Sequence, residues 1–83
     1  MDSDYDTACT DGALTNLADA YSAVCAIAKH SHDTRIKSLA QTAAIGIEVS
    51  FNRCAQYGNG RTVADLREQM AKQRNGVFDK AAG

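Results

Sequence analysis

The chain contains no proline and no tryptophan. Without proline, nothing along its length removes a backbone donor or forces a helix to stop. The alanine-rich composition then favours helix. No clean alternation of apolar and polar residues appears, and the glycine-containing pairs lie at helix boundaries, so strands are not expected. No apolar run approaches the ~18 residues of a membrane span, and no charged-then-apolar leader opens the chain. These two absences point to the cytosol. Catalytic and phosphate-loop motifs are also missing, since Gly58-x-Gly60 follows a helix rather than a strand. The sequence therefore points away from an enzyme.

What is present is short. A chain of 83 residues forms one domain, and a domain of that size buries only about 60–65% of its unfolded surface. Such domains are usually reinforced by disulfides, metals or oligomerisation. The cysteines (Cys9, Cys25, Cys54) are odd in number and widely spaced, and they read as small buried hydrophobes in a reducing compartment. Oligomerisation is the reinforcement left. Net charge is −1 but uneven: residues 1–34 carry six aspartates against Lys29, and residues 35–83 carry eight basic against four acidic residues. That asymmetry suits antiparallel helices whose faces attract, or a basic surface that receives an anion.

The periodicity predicts an all-α fold: an antiparallel helical hairpin plus a shorter third helix, in a single domain over 1–83. After an acidic, irregular MDSDYDTAC, the first helix is expected over about 11–30, capped by Thr10 or Asp11, with a seam of Leu14, Leu17, Tyr21, Val24 and Ala28. Ser31-His32-Asp33 is a tight connection, and Asp33 or Thr34 caps a second helix over about 34–57. The third is expected over about 63–74, opened by a capping-box-like Thr62-Val63-Ala64-Asp65 and anchored by Val63, Leu66 and Met70. The tail, 75–83, offers Val77 and Phe78 to a neighbour.

The segment Asp33–Asn52 is the most informative. At ~100° per residue, Ile36, Ala40, Ala43, Ile47, Phe51 and Cys54 form one stripe that faces the first helix. Arg35, Ser38, Thr42 and Arg53 fall on another side, and Ile45 and Val49 fall with them. An aliphatic pair there needs a second cover, either the third helix or another subunit. Ser38 and Thr42 are one turn apart with Arg35 one turn earlier. At a helix start they would offer hydroxyls, a guanidinium and free backbone N–H groups to a phosphate, with Lys29, Lys37 and Arg53 adding charge. The alternative is a capped helix start whose hydroxyls bond back to the preceding turn.

Other chemistry is weaker. His30 and His32, with Cys25, lack metal-ligand spacing and instead neutralise a helix C-terminus, so no metal is expected. Asp2, Asp4 and Asp6 lack the glycine and glutamate of a calcium loop. Arg61, Arg67, Lys72 and Arg74 gather around the third helix, but Asp65 and Glu68 balance them and the pI is near 6.0, which argues against nucleic acid as partner. No cofactor is implied.

The string Arg35-x-x-Ser38-Leu39-Ala40-x-Thr42, with Asn52 ten residues past the threonine, resembles the small phage proteins that sequester cyclic nucleotides to defeat CBASS immunity. Those proteins are antiparallel helical hairpins in compact homo-oligomers, typically hexamers, and hold cyclic dinucleotides or trinucleotides at subunit contacts without hydrolysing them. The resemblance implies that Arg35, Ser38 and Thr42 lie close to a bound phosphate, in a protein acting in the host-cell cytoplasm. It implies a base-stacking role for a tyrosine near the N-terminus, for which Tyr5 is the nearest equivalent. The third helix is an addition to the family pattern.

Three functions follow for comparison. The first is a cyclic-oligonucleotide sponge of the anti-defence type. The second is a helical inhibitor that contacts a host defence protein directly, in the manner of anti-CRISPR proteins. The third is a DNA-binding regulator that uses the basic third helix.

Overall fold

A computed structural model describes the backbone over residues 2–78 and the side chains from Tyr5 to Phe78. The described residues contain three α-helices and no strand: α1 (Asp2–His30), α2 (Thr34–Ala55) and α3 (Gly60–Arg74). The fold is all-α, as the periodicity requires. At ~1.5 Å per residue these helices run about 43, 33 and 22 Å, and the molecule is a rod of 50 × 18 × 16 Å. No helix among the described residues is long and apolar enough to cross a membrane.

Side-chain caps set the two turns. Asp33 sits in an extended conformation before α2 and its carboxylate accepts from the backbone N–H of Arg35 (2.9 Å) and Ile36 (3.4 Å). Such a cap stabilises a helix by about 1 kcal/mol. At the other turn the cap is Asn59, which accepts from Arg61 N–H (2.9 Å) and Thr62 N–H (3.3 Å). α3 therefore begins at Gly60 rather than 63, because the Asn59 carboxamide reaches the open donors before Thr62 can. α2 correspondingly ends at Ala55 instead of 57, where the Tyr57 and Gly58 amides bond back to Cys54 and Ala55.

The larger correction concerns α1, which starts at Asp2 and not near residue 11. Neither Thr10 nor Asp11 caps it. Aspartates in a first turn complement the positive end of the helix dipole, so an acidic N-terminal segment is compatible with helix. Asp11 is employed elsewhere: its carboxylate accepts from the backbone N–H of Asn59 at 2.9 Å, holding the α2–α3 turn against α1. Gly58 makes that approach possible, since a Cβ there would stand 2.8 Å from both Asp11 Oδ1 and Leu14 Cδ1. The side chains of Asp2 and Asp4, and the tail beyond Phe78, lie outside the described residues.

The core is built on α1. Leu14, Ala18, Tyr21, Cys25 and Ala28 are buried, against Ala40, Ala44, Phe51 and Ala55 of α2 and Val63 and Met70 of α3. Leu17 and Val24, expected in the seam, are only half-buried. α1 is gripped from two sides, which widens its buried stripe to include Ala18 and Cys25. On α2 the buried stripe is rotated from the expected one: Ala44 and Ala55 enter it, and Ala43 and Ile36 leave it, Ile36 being 47% exposed. Alanines at 40, 44 and 55 let the two backbones approach closely. After α3 the chain reverses at Gly76 (φ 85°), a backbone region that favours glycine. Val77 then drops into the core, and Gln41 of α2 donates to its carbonyl at 2.8 Å.

α3 packs along α1 and makes little backbone contact with α2. It consequently leaves Ile45 and Val49 50% and 45% exposed. Of the two covers anticipated for that pair, the third helix is not one.

Candidate functional site

Two surfaces carry chemistry: the outer face of α2, and the groove that α3 leaves between itself and α2.

On the outer face, Arg35, Ser38 and Thr42 are all exposed and share one side of α2. Thr15 on α1 bonds back to the carbonyl of Asp11. Ser38 and Thr42 make no such bond among the described residues, so their hydroxyls remain open to a ligand. Most of the backbone N–H groups expected to assist them are already engaged, however. Asp33 takes two of them and places a carboxylate at the helix start. An anion here would have to be held chiefly by side chains.

The remaining residues of the expected set are dispersed. Lys37 is half-buried on the flank of α2, and Lys29 is half-buried in the last turn of α1, near the same end. Arg53 lies 18 residues beyond Arg35, about 27 Å along the axis. Tyr5 is 71% exposed at the start of α1. Because α2 runs antiparallel to α1, that end of the molecule is opposite to Arg35. One chain thus gathers Arg35, Ser38 and Thr42 but not Tyr5 or Arg53.

The outer face has a further regularity. Arg35, Leu39, Thr42, Gly46, Val49 and Arg53 follow one another at spacings of four, three, four, three and four. Such spacing is a helix-packing seam, and here it faces solvent, with Leu39 71% exposed. The pattern reads identically from either end, centred on position 44. Ile45 borders it.

The groove is built differently. Its floor is Tyr21, Phe51 and Met70, which are 1%, 1% and 7% exposed, and its walls are Glu48 and Asn52 of α2 and Arg67, Ala71 and Arg74 of α3. Its volume is about 240 Å³. One oxygen of Glu48 accepts from the buried Tyr21 hydroxyl and from Arg74 Nη1, the latter at 2.5 Å. Burial, and then the hydrogen bond and charge of Glu48, push the Tyr21 phenol well above its ordinary range. The bond to Glu48 likewise raises Arg74. Arg74 also stacks on Phe78, 4.7 Å from the ring centroid. Arg67 lies 5.9 Å from the Phe51 centroid and donates to Asn52 Oδ1 at 3.1 Å.

Sequence reasoning assigned these residues to other tasks. The periodicity places Tyr21 and Phe51 in the seams, and Glu48 counts only among the four acidic residues of the second half. The available signal was the seven-residue step from Arg67 to Arg74, two turns along one face of α3. That step also divides the basic cluster, because Arg61 and Lys72 fall on a different side of the helix from Arg67 and Arg74 at ~100° per residue. The cluster does not form one phosphate-tracking stripe. His30 and His32 are exposed at the α1–α2 turn, and no group of three metal-ligating side chains occurs among the described residues. Cys25 is buried, which raises its thiol pKa, whereas Cys9 is exposed.

Comparison with known proteins finds no matching family model, no similar curated protein and no similar solved structure.

Proposed function

We propose that this protein is a non-catalytic, homo-oligomeric binder that sequesters cyclic di- or trinucleotides in the host cytoplasm without hydrolysing them. The observation that carries this reading is the solvent-facing palindromic seam on α2. A second copy laid antiparallel on that seam sets Leu39 against Val49 of the other chain and Thr42 against Gly46. The small central pair permits close approach, and the aliphatic pairs on either side lose water. At each end the same alignment brings Arg35 of one chain to Arg53 of the other, with Ser38 and Ser50 alongside.

Two guanidiniums facing one another repel unless an anion lies between them. A phosphodiester supplies that charge, and the open hydroxyl of Ser38 at the same end supplies a further donor, while Thr42 lies at the centre of the pairing. Oligomerisation and phosphate binding then support each other. Pairing also unites Arg35 with Arg53, which a single chain holds about 27 Å apart. The resemblance of the segment from Arg35 to Asn52 to cyclic-nucleotide sponges points to the same ligand class.

The test is calorimetric titration of cyclic dinucleotides and trinucleotides, combined with light scattering. Saturable binding with unchanged nucleotide, and an oligomer, are expected. Arg35→Ala should weaken binding while the subunits stay associated. A panel that gives neither heat nor thermal stabilisation would reject the reading. Were the chain monomeric at all concentrations, the outer face would instead belong to a foreign partner, as in a direct inhibitor of a host defence protein.

A further inference from the structure

The groove between α2 and α3 is separate from the outer face and plays no part in that reading. It is too small for a cyclic dinucleotide, since drug-sized ligands occupy pockets of roughly 300–1,000 Å³ and this one measures about 240 Å³. One ring with one charged substituent is the scale it accommodates. We propose that the groove binds a single-ring aromatic carboxylate.

Charge selects the sign. The groove contains two guanidiniums, Arg67 and Arg74, against one carboxylate, Glu48. Glu48 is committed to Tyr21 and Arg74. Arg67 is bonded to the neutral Asn52 and meets no carboxylate among the described residues. It retains four of the five donors of a guanidinium. One positive charge is thus uncompensated beside an apolar floor, and it matches a monoanion better than a dianion, which Glu48 would repel.

Shape selects the ring. Phe51 and Met70 form the floor, and Ala71, the smallest side chain on the wall, is what leaves the space open. A flat ring resting on Met70 and Ala71 brings its carboxylate to Arg67, which can grip it with two parallel N–H donors. Arg74, bonded to Glu48 and stacked on Phe78, closes the far end. Convergent polar groups over a buried apolar floor, with a perturbed phenol at its base, are the marks of a binding site.

Benzoate, benzamide and acetate titrated into the full chain, followed by amide ¹H–¹⁵N shifts, test this. Benzoate should saturate with a dissociation constant at or below about 1 mM, moving the amides of Asn52, Arg67 and Ala71. Benzamide, which has the ring without the charge, and acetate, which has the charge without the ring, should each bind at least roughly tenfold more weakly. Arg67→Gln should weaken benzoate by a similar factor, and Ala71→Leu should abolish its binding by filling the space. Both residues are exposed, so the helical circular dichroism should persist, and cyclic-nucleotide binding should be unchanged in both variants. Failure of benzoate to saturate would overturn the assignment, as would benzamide matching it or undiminished affinity in Arg67→Gln.

Discussion

Tyr21 on α1 donates its hydroxyl proton to Glu48 on α2, 27 residues away in the chain. The same carboxylate oxygen receives Arg74 of α3, so one side chain ties all three helices together. The phenol is the buried member and has Glu48 as its partner. Burying it without a partner would be costly, which makes Glu48 the condition for placing a tyrosine at the centre of so small a core.

Tyr21→Phe removes the hydroxyl and leaves Glu48 with Arg74. A hydrogen bond to a charged group is worth about 1.5–3 kcal/mol, and for a domain of this size each kcal/mol corresponds to roughly 4–8 °C in melting temperature. Urea and thermal melts should show a loss in that range with the helical content retained. A loss under about 0.5 kcal/mol, the scale of an ordinary surface change, would mean that the bond does not hold the helices.

Alkaline pH should act through the same group. The folded-state pKa of Tyr21 is raised above the ordinary value of 10.0, so the unfolded chain releases this proton first. The contribution is therefore fully present below pH 10 and is lost as pH rises above it, with a limiting slope of about 1.4 kcal/mol per pH unit. Stability measured from pH 8 to 11 should fall more steeply in the parent than in Tyr21→Phe. Parallel curves would contradict the assignment, because Tyr5, Tyr57 and the lysines are common to both proteins.

Gly58→Ala tests the tight turn. The added Cβ meets Asp11 Oδ1 and Leu14 Cδ1 at 2.8 Å. Leu14 is fully buried and Asp11 is bonded to Asn59, so neither yields freely, and a loss of about 1–3 kcal/mol is expected for overpacking of this kind. Asp11→Ala should relieve part of it. Measured as a double-mutant cycle, the pair should be non-additive by more than about 0.5 kcal/mol; additivity would place the cost elsewhere.

Leu39→Glu addresses the outer seam of α2. Leu39 is 71% exposed, so the change should alter the stability of the isolated chain by less than about 0.5 kcal/mol. Two carboxylates per paired surface should nevertheless dissociate the proposed oligomer. Light scattering over a concentration series should give a smaller species for the variant than for the parent. Identical masses would remove Leu39 from any subunit contact.

The sequence by itself determined the helical class, narrowed the second helix's cap to Asp33 or Thr34, and supplied the anchors Val63 and Met70, because capping and 3.6-residue periodicity are local properties. It also located Arg35, Ser38 and Thr42 on one side of α2 and exposed the odd position of Ile45 and Val49. Other features depended on residues distant in the chain. Asp11 was readable as a cap, and only the fold showed it bonded to Asn59, with α1 continuing back to Asp2. That α3 leaves Ile45 and Val49 exposed could not be read locally either; it follows from α3 lying on α1. The groove with Glu48, Arg67 and Arg74 has the same origin. Periodicity assigns a face to each helix, but which neighbour that face meets is set by how three stripes share one small core.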